Sequence, residues 1–405
     1  MSGPAILWSM PRQGWCNVII GSDRADGTVK TRRLVPVGVT PSTIAGGGVF
    51  RHHRGGNRRE HAMHIIDSHF HWWPRSHFER LCKRTGFPHA VADGKGGYDY
   101  LRQEEAADYV MNTWPAWFDL DEQLAHMDAL GHRVDVVCSI GPMSVCFSEL
   151  PADEGKDYAI AWNEEMAGAQ KRYPGRVWAS AAVPLQDTET AIEVLDDALD
   201  RLGLMGVNLP GSIGQDPRID AERLEPFYDH VEKRGIPMFL HPTDAVFADA
   251  LDGYDGALFL SLGRVVEVSV AAMRLVFSGI MDRHPDLKLI MSHTGGTLPY
   301  QSGRMDKNGR KAKLPQPPST YLKRMYSDTV SPHMEGMKFA IEYYGVDHVM
   351  YGSDYPCWMP ADALKFLDQV GLSDEDLEKV LYSNARRILN LKDPVAESEP
   401  VRAVG

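Results

Sequence analysis

Short apolar runs alternate with helix-like segments along most of this 405-residue chain. Eight of the runs have the length and content of buried strands, and segments whose apolar residues recur at helical spacing lie between them. Eight such units predict an α/β fold, a (β/α)8 TIM barrel in which helices surround a closed parallel sheet. An open doubly wound sheet is the alternative, but no Gly-x-Gly-x-x-Gly motif follows a strand. The predicted strands begin at Ile65, Asp135, Val177, Gly206, Pro237, Leu287, Met325 and His348.

The predicted barrel domain occupies residues 63–392, and the segment before it has a different composition. Residues 1–62 hold nine Lys or Arg and three Asp or Glu, a charge of +6, whereas the whole chain carries −12. This segment could be a basic arm, an Arg-rich targeting leader or an upstream extension of a protein that starts at Met63. We favour the extension, because Met63 stands directly before the first strand. We predict that residues 1–62 and the tail, residues 393–405, are disordered.

The overall composition excludes several classes of protein. A net charge of −12 argues against non-specific binding of nucleic acid. No apolar run is long enough to span a bilayer, so we expect no membrane partner. The five cysteines are scattered and lack the spacing of a zinc finger. A reduced, cytoplasmic protein is therefore expected.

The first predicted strand runs into two histidines that are one residue apart, His69 and His71. Side chains at positions i and i+2 of a strand point to the same face, so the two imidazoles would lie side by side. Two imidazoles in this arrangement can bind one divalent metal ion. A lone His-x-His is more often a pair of ordinary histidines. The decision therefore depends on whether other strand ends supply further ligands.

Polar residues do follow the other predicted strands, where the functional groups of a barrel gather. His241, His293 and Asp354 come directly after strands five, six and eight, while Asn208 and Asp328 lie on strands four and seven. Each alone could be a cap or a turn residue. Three imidazoles and one carboxylate together suit a single Zn²⁺, with Mn²⁺ or Fe²⁺ as substitutes. A second metal is not expected, because strand four offers an amide instead of a bridging ligand. The candidates for these ligands are His69, His71, His241, His293 and Asp354.

These motifs and their order resemble those of the amidohydrolase superfamily. The resemblance is greatest to aminocarboxymuconate-semialdehyde decarboxylase and related aromatic-acid decarboxylases, and it extends from about Met63 to Leu391. The matching motifs are the His-x-His pair, Phe-Leu-His-Pro at His241, Met-Ser-His-Thr-Gly-Gly at His293 and Tyr-Gly-Ser-Asp-Tyr-Pro at Asp354. The resemblance implies a barrel of the metal-dependent hydrolase type that holds zinc through His69, His71, His241 and Asp354.

The resemblance also implies roles for residues beyond the metal ligands. His293 would move a proton or activate the metal-bound water, and Arg304 would bind the substrate carboxylate in the neighbouring subunit's site. A homodimer with Arg304 acting in trans follows, although a surface ion pair is the plain alternative for this arginine. Residues 109–119 lack the family's second substrate-binding arginine, which indicates a different substrate. Tryptophans such as Trp72 suggest an aromatic or apolar ligand, although packing is their commoner use.

The expected activity is that of a metal-dependent decarboxylase, a carbon–carbon lyase that acts on an aromatic or unsaturated carboxylic acid. His293 would move the proton, and Asp354 would hold the metal and assist proton transfer to carbon. Hydrolysis of an amide or lactone, or hydration of a double bond, is the first alternative, because the same ligands serve it. A metal-binding protein without turnover is the second, and His293 beside a complete ligand set argues against it.

Overall fold

A computed structural model describes residues 18–19, 62–101, 110–243, 251 and 254–391 of the chain. The predicted extension, residues 1–62, lies outside the described residues except for Val18–Ile19 and Ala62. The predicted tail, residues 393–405, lies wholly outside them. The predicted domain boundaries and the predicted disorder therefore stay predictions.

Eight parallel strands form the centre of the fold, each within a few residues of its predicted position. Two parallel ladders account for them, β2-β6-β7 and β8-β9-β10-β11-β12. The strands are β1 (Val18–Ile19), β2 (His64–Phe70), β3 (His89–Ala92), β4 (Tyr98–Leu101), β5 (Val110–Asn112), β6 (Arg133–Cys138), β7 (Val177–Ala179), β8 (Val207–Pro210), β9 (Pro237–His241), β10 (Lys288–Met291), β11 (Tyr326–Asp328) and β12 (Val349–Met350).

Hydrogen bonds at two seams join these ladders into a closed ring. At the first seam, the Ala181 amide donates to the Gly206 carbonyl at 2.8 Å, and a parallel bridge pairs Ala181 with Val207. At the second seam, the Ser68 amide donates to the Tyr351 carbonyl at 2.9 Å. The last strand therefore returns to the first. The predicted (β/α)8 barrel is confirmed.

Helices follow the barrel strands, and several begin and end where the sequence provides caps. The Asp119 carboxylate accepts from the Glu122 amide at 3.0 Å before α2, and Asp187 does the same for Thr190 at 2.8 Å before α5. Among the described residues, no helix has both the length and the apolar character needed to cross a bilayer. The helices are α1 (Arg75–Leu81), α2 (Leu120–Asp128), α3 (Cys146–Glu149), α4 (Ala152–Arg172), α5 (Thr188–Asp200), α6 (Glu225–Arg234), α7 (Arg264–Phe277), α8 (Ile280–Arg283), α9 (Leu298–Gly309), α10 (Pro318–Leu322), α11 (Met334–Tyr344), α12 (Pro360–Val370), α13 (Asp374–Glu378) and α14 (Asn384–Ile388).

The segment at 74–113 has Gly94, Gly96 and Gly97 in a polar run, a composition that predicts an irregular loop, but it contains more structure than this composition indicates. It holds α1 and three strands, β3, β4 and β5, which form an antiparallel sheet with β1. In β4, Tyr98 and Tyr100 are buried while Asp99 and Leu101 are partly exposed. This alternation covers only four residues directly after Gly97, which is too short to stand out as a strand in the sequence.

The barrel interior is filled by apolar side chains from strands on all sides of the ring. Ile66, Val137, Phe239, Ile290 and Met350 form one buried cluster. They belong to β2, β6, β9, β10 and β12, so they can meet only inside the closed sheet. The polar residues at the strand ends lie directly next to this packed apolar layer.

Truncation of this layer is expected to destabilise the protein strongly. Phe239→Ala should lower the free energy of unfolding by about 3–5 kcal/mol, because it leaves a cavity in the barrel interior. Urea unfolding followed by tryptophan fluorescence measures this change. Phe277→Ala is the control, because Phe277 is 40% exposed on the outside of the barrel and should lose less than half as much. Equal losses for both variants would contradict the placement of Phe239.

Candidate metal centre

The four predicted metal ligands converge at one end of the barrel. Nε2 of His69 and Nε2 of His71 are 3.1 Å apart, and Oδ1 of Asp354 lies 3.4 Å and 3.1 Å from them. With His241, the four residues each offer a ligand atom within 4.8 Å of the others, and all four residues are buried. Ligand atoms at about 2.0–2.2 Å from one tetrahedral ion are about 3.3–3.6 Å apart, which is close to the distances among His69, His71 and Asp354. The group can therefore surround a single divalent cation.

A β-bulge in β2 lets its histidines face the barrel interior. Ile66 points into the barrel. In a regular strand His69, three residues later, would point to the opposite face. The pairing of β2 with β6 shifts register between Asp67 and Phe70. One extra residue reverses the side-chain alternation, so that Ile66, His69 and His71 can share the inner face. Phe70, between the histidines, packs in the outer core against Tyr355.

Two glycines make room for the histidine rings. A Cβ at Gly141 would lie 2.6 Å from Cε1 of His71, and a Cβ at Gly352 would lie 2.7 Å from Cβ of His69. Gly141 also has a φ of +64°, which L side chains rarely adopt. Only glycine allows the backbone to pass this close to the ligands.

The outer nitrogen of each ligand histidine has a hydrogen-bond acceptor. His69 Nδ1 contacts Oδ2 of Asp328 at 2.6 Å, and His71 Nδ1 contacts the Ser139 carbonyl at 3.0 Å. Nδ1 of His241 donates to the Pro242 carbonyl at 2.8 Å. A histidine that donates from Nδ1 keeps a lone pair on Nε2, which is the form that binds metal. The buried Nε2 of His241 has no partner among the described residues. This unpaired lone pair fits a cation.

Burial and neighbouring charges set three of the ligands in the protonation states that a metal requires. Burial lowers the pKa of His71, and burial with the nearby histidines lowers that of His241 well below its usual value. Burial alone would raise the pKa of Asp354, but hydrogen bonds and charges from His293 and His69 lower it well below the usual range. Two neutral imidazoles and a carboxylate are therefore ready to bind a metal at neutral pH.

His69 differs, because it stands between two carboxylates. Burial by itself lowers its pKa, but the hydrogen bond and charge of Asp328, joined by those of Asp354, raise it to about 10. The proton on His69 balances this negative charge when no cation is present. A cation that takes over this balance would release the proton.

His293 lies beside the four-residue group. Its Nε2 is 3.7 Å from Oδ2 of Asp354, and its ring centroid is 5.2 Å from that of His241. Its side chain is 10% exposed, and the buried Nδ1 has no partner among the described residues. The position leaves this imidazole able to exchange a proton with a ligand in the site.

Asp328 organises both His69 and His293, a role that the sequence did not reveal. Besides His69, its carboxylate accepts from the backbone amides of His293 at 3.1 Å and Thr294 at 3.0 Å. His293, Thr294 and Asp354 all have φ between 54° and 59°. Left-handed backbone at such residues costs about 1–3 kcal/mol each and persists only where the surroundings hold it. The position of Asp328 at the end of strand seven was the only signal in the sequence.

The remaining predicted residues lie outside the ligand group. Arg304 is exposed on α9, where Tyr300, one turn earlier, is 79% exposed. Trp72 is partly buried, and its indole N–H donates to the Phe118 carbonyl at 3.2 Å. Asn208 donates to Ser180 Oγ at 2.7 Å and accepts from the Ile140 amide at 3.1 Å, so its amide stabilises the loops around the site.

Comparison with known proteins identifies the class of protein. Residues 66–391 match the family model described as amidohydrolase. The chain is 31% identical to gamma-resorcylate decarboxylase from a Rhizobium species over 290 residues, which are 67% of this chain and 87% of that protein. It is 29% identical to 2-amino-3-carboxymuconate-6-semialdehyde decarboxylase from Dictyostelium discoideum, over 64% of this chain and 74% of that protein.

A solved structure shares the fold. It is that of a dihydroxybenzoic acid decarboxylase from a Polaromonas species with bound manganese and an inhibitor, 2-nitroresorcinol. The two chains superpose with a TM-score of 0.65 at 24% identity, over 81% of this chain and 97% of the other.

The chain belongs to the amidohydrolase family. The named relatives place it in the decarboxylase branch of that superfamily, and they support an enzyme of the carbon–carbon lyase type. The predicted resemblance is confirmed.

Substitution of Gly141 is expected to disturb His71. Gly141→Ala should reduce the Zn²⁺ or Mn²⁺ retained per chain after dialysis, because the new methyl group occupies space held by the His71 ring. Elemental analysis measures the metal. Gly131→Ala is the matched control, since Gly131 has a φ of +74° but an added Cβ would contact nothing within 4 Å. Both variants share the backbone strain, so equal metal retention would contradict the steric role of Gly141.

Proposed function

We propose that this protein is a metal-dependent decarboxylase that acts on an aromatic or unsaturated carboxylic acid. The observation that carries the proposal is the group of three imidazoles and one carboxylate, with an unpaired Nε2 on His241 and with His293 alongside. The relatives named as decarboxylases support this reaction over the others open to the family.

His69, His71, His241 and Asp354 would hold the metal, each fixed by the contacts described above. Zn²⁺ suits this ligand set, and Mn²⁺ is the alternative supported by the manganese in the Polaromonas structure. The bound ion would polarise substrate oxygen atoms as a Lewis acid. The four ligand residues are buried, and electrostatic interactions are stronger in a buried environment than in water.

His293 would supply the proton in the reaction. The bond between the substrate carbon and its carboxyl group breaks, the electron pair stays on that carbon, and CO₂ leaves. The carbon then needs one proton, and His293 is the titratable side chain beside the ligand group whose Nδ1 has no described partner. Asp354, 3.7 Å from His293 Nε2, would keep the imidazole oriented and assist the transfer.

The substrate would be a small-molecule carboxylic acid, with its anionic group bound by Arg304 of the neighbouring subunit. Arg304 is exposed one turn after Tyr300, whose ring lies 6.3 Å from that of Phe339, which is 43% exposed, and these exposed aromatic rings support a subunit contact on this face. A guanidinium can hold a carboxylate by two parallel hydrogen bonds. Trp72 would line the apolar part of the site. A cytoplasmic location stays a prediction from the scattered cysteines.

Hydrolysis of an amide or lactone is the second candidate. The observation in its favour is the same ligand set, because a metal held by histidines and a carboxylate also lowers the pKa of bound water. Hydration of a double bond belongs with it. Binding of metal without turnover is the third possibility, and His293 beside the ligands argues against it.

A panel of aromatic carboxylates and simple lactones offered to Zn²⁺- or Mn²⁺-loaded protein tests the proposal. We expect CO₂ release from one or more carboxylates and no hydrolysis of lactones. His293→Gln should lower kcat by about 10²–10⁴-fold with its metal retained, because a general acid is lost. The control is His230→Gln, since His230 pairs with Asp196 at 2.8 Å away from the strand ends. Hydrolysis without CO₂ release would establish the second candidate instead.

Complementation between variants tests the role of Arg304. Arg304→Ala should raise KM about tenfold or more, since a hydrogen bond to a charged group contributes about 1.5–3 kcal/mol. Co-expression of Arg304→Ala with His293→Gln should restore about a quarter of the wild-type activity, because half of the dimers are hybrids with one complete site. Co-expression of His293→Gln with Asp354→Asn should restore none. Recovery in neither mixture, or a monomer in solution, would contradict action in trans.

A further inference from the structure

The turn that carries Asp354 is attached to the C-terminal end of β2, where His69 and His71 lie. The Asp354 amide donates to the His69 carbonyl at 2.8 Å, and the His71 amide donates to the Tyr355 carbonyl at 2.9 Å. These backbone bonds close the seam between the last strand and the first. Backbone hydrogen bonds do not depend on the identity of the side chains. These bonds therefore do not by themselves fix the direction of the Asp354 side chain.

Two buried side chains add a second set of contacts on both sides of Asp354. Oδ1 of Asp67 accepts from the Ser353 amide at 3.0 Å and from the His69 amide at 3.3 Å. Oδ2 of Asp67 pairs with the Ser353 hydroxyl, and Ser353 Oγ accepts from the Tyr355 amide at 3.1 Å. Asp67 and Ser353 are 0% and 2% exposed. One carboxylate and one hydroxyl therefore contact the backbone before and after Asp354 and at His69.

We propose that Asp67 and Ser353 are positioning residues that fix the Asp354 carboxylate relative to His69 and His71. The proposal rests on the metal site of the proposed function. Asp354 has a φ of 59°, a conformation that a residue with a side chain leaves unless its neighbours hold it. Ser353 and Tyr355 flank Asp354. The Ser353 amide donates to Asp67, and the Tyr355 amide donates to the Ser353 hydroxyl oxygen. Rotation of the turn would move Oδ1 of Asp354 away from the histidine nitrogens.

The competing interpretation is that the pair only strengthens the seam between the first and last strands. Ser68 offers a matched comparison, because it is buried in the same seam and its hydroxyl donates to the Tyr351 carbonyl at 2.7 Å. That carbonyl also accepts from the Ser68 amide, so Ser68→Ala leaves it bonded. Ser68→Ala therefore removes a hydrogen bond of the seam without touching the turn at Asp354.

The test measures Co²⁺ binding to the full-length protein, freed of metal, by competition with a chelator and by the visible absorption of the bound ion. Ser353→Ala should weaken Co²⁺ binding about 10- to 100-fold, as outer partners of metal ligands do, and should change the absorption spectrum. Ser353→Thr, which keeps the hydroxyl, should bind close to wild type. Ser68→Ala should bind as the wild type does. Thermal unfolding of each variant shows that it is folded.

Asp67→Asn provides an independent measurement on the same pair. It replaces the oxygen that faces the Ser353 hydroxyl, so it should weaken Co²⁺ binding in the same direction. The double variant should lose no more affinity than the worse single variant, because both changes disrupt one contact. Unchanged affinity and spectrum in Ser353→Ala, or an equal loss in Ser68→Ala, would overturn the positioning role.

The outcomes also separate this inference from the proposed reaction. Wild-type protein that binds one Co²⁺ per chain but releases no CO₂ from any carboxylate would refute the decarboxylase and leave the positioning role standing. Wild-type protein that binds no Co²⁺ would refute both. Normal affinity in Ser353→Ala together with an active wild type would refute the positioning role alone.

Discussion

The closure of the barrel between its last strand and its first is the constraint on which the site depends. β2 supplies His69, the residue after β2 is His71, and the turn after β12 supplies Asp354, so three of the four candidate ligands meet across this one seam. Backbone hydrogen bonds from Ser68 and Asp354 hold the seam. The bulge in β2 is equally necessary. Without it, the histidines would point away from the barrel interior, because Ile66 of the same strand already points inward.

Electrostatics then determine what this junction can bind. Buried carboxylates at Asp328 and Asp354 face buried imidazoles, and each outer imidazole nitrogen is occupied by an acceptor, which leaves the inner nitrogens directed at one point. Such an arrangement is costly without a cation, because charge and unpaired polar atoms are withheld from water. The left-handed backbone at His293 and Asp354 adds to this cost. These costs in folding free energy arise at one end of the barrel, where the function is expected to lie.

The sequence predicted the eight strands and the convergence of the ligands because both depend on strong local patterns. Buried strands are continuous apolar runs, and a polar residue directly after such a run is conspicuous. The bulge at Asp67 was not predictable, since a register shift depends on the partner strand. Asp328 stood at a strand end, but its bond to His69 depends on residues 259 positions apart. The small sheet at 89–112 was missed because its strands have only three or four residues each.

A site assembled across this seam has a consequence for the order of events during synthesis. His71 and Asp354 are separated by 283 positions, so nearly the whole barrel must be translated before the carboxylate can reach the imidazoles. A nascent chain in which only the early strands have been translated has only part of the ligand set. The ion would therefore bind late in folding, where it would link the two ends of the domain. It would stabilise the complete barrel relative to every partly folded form.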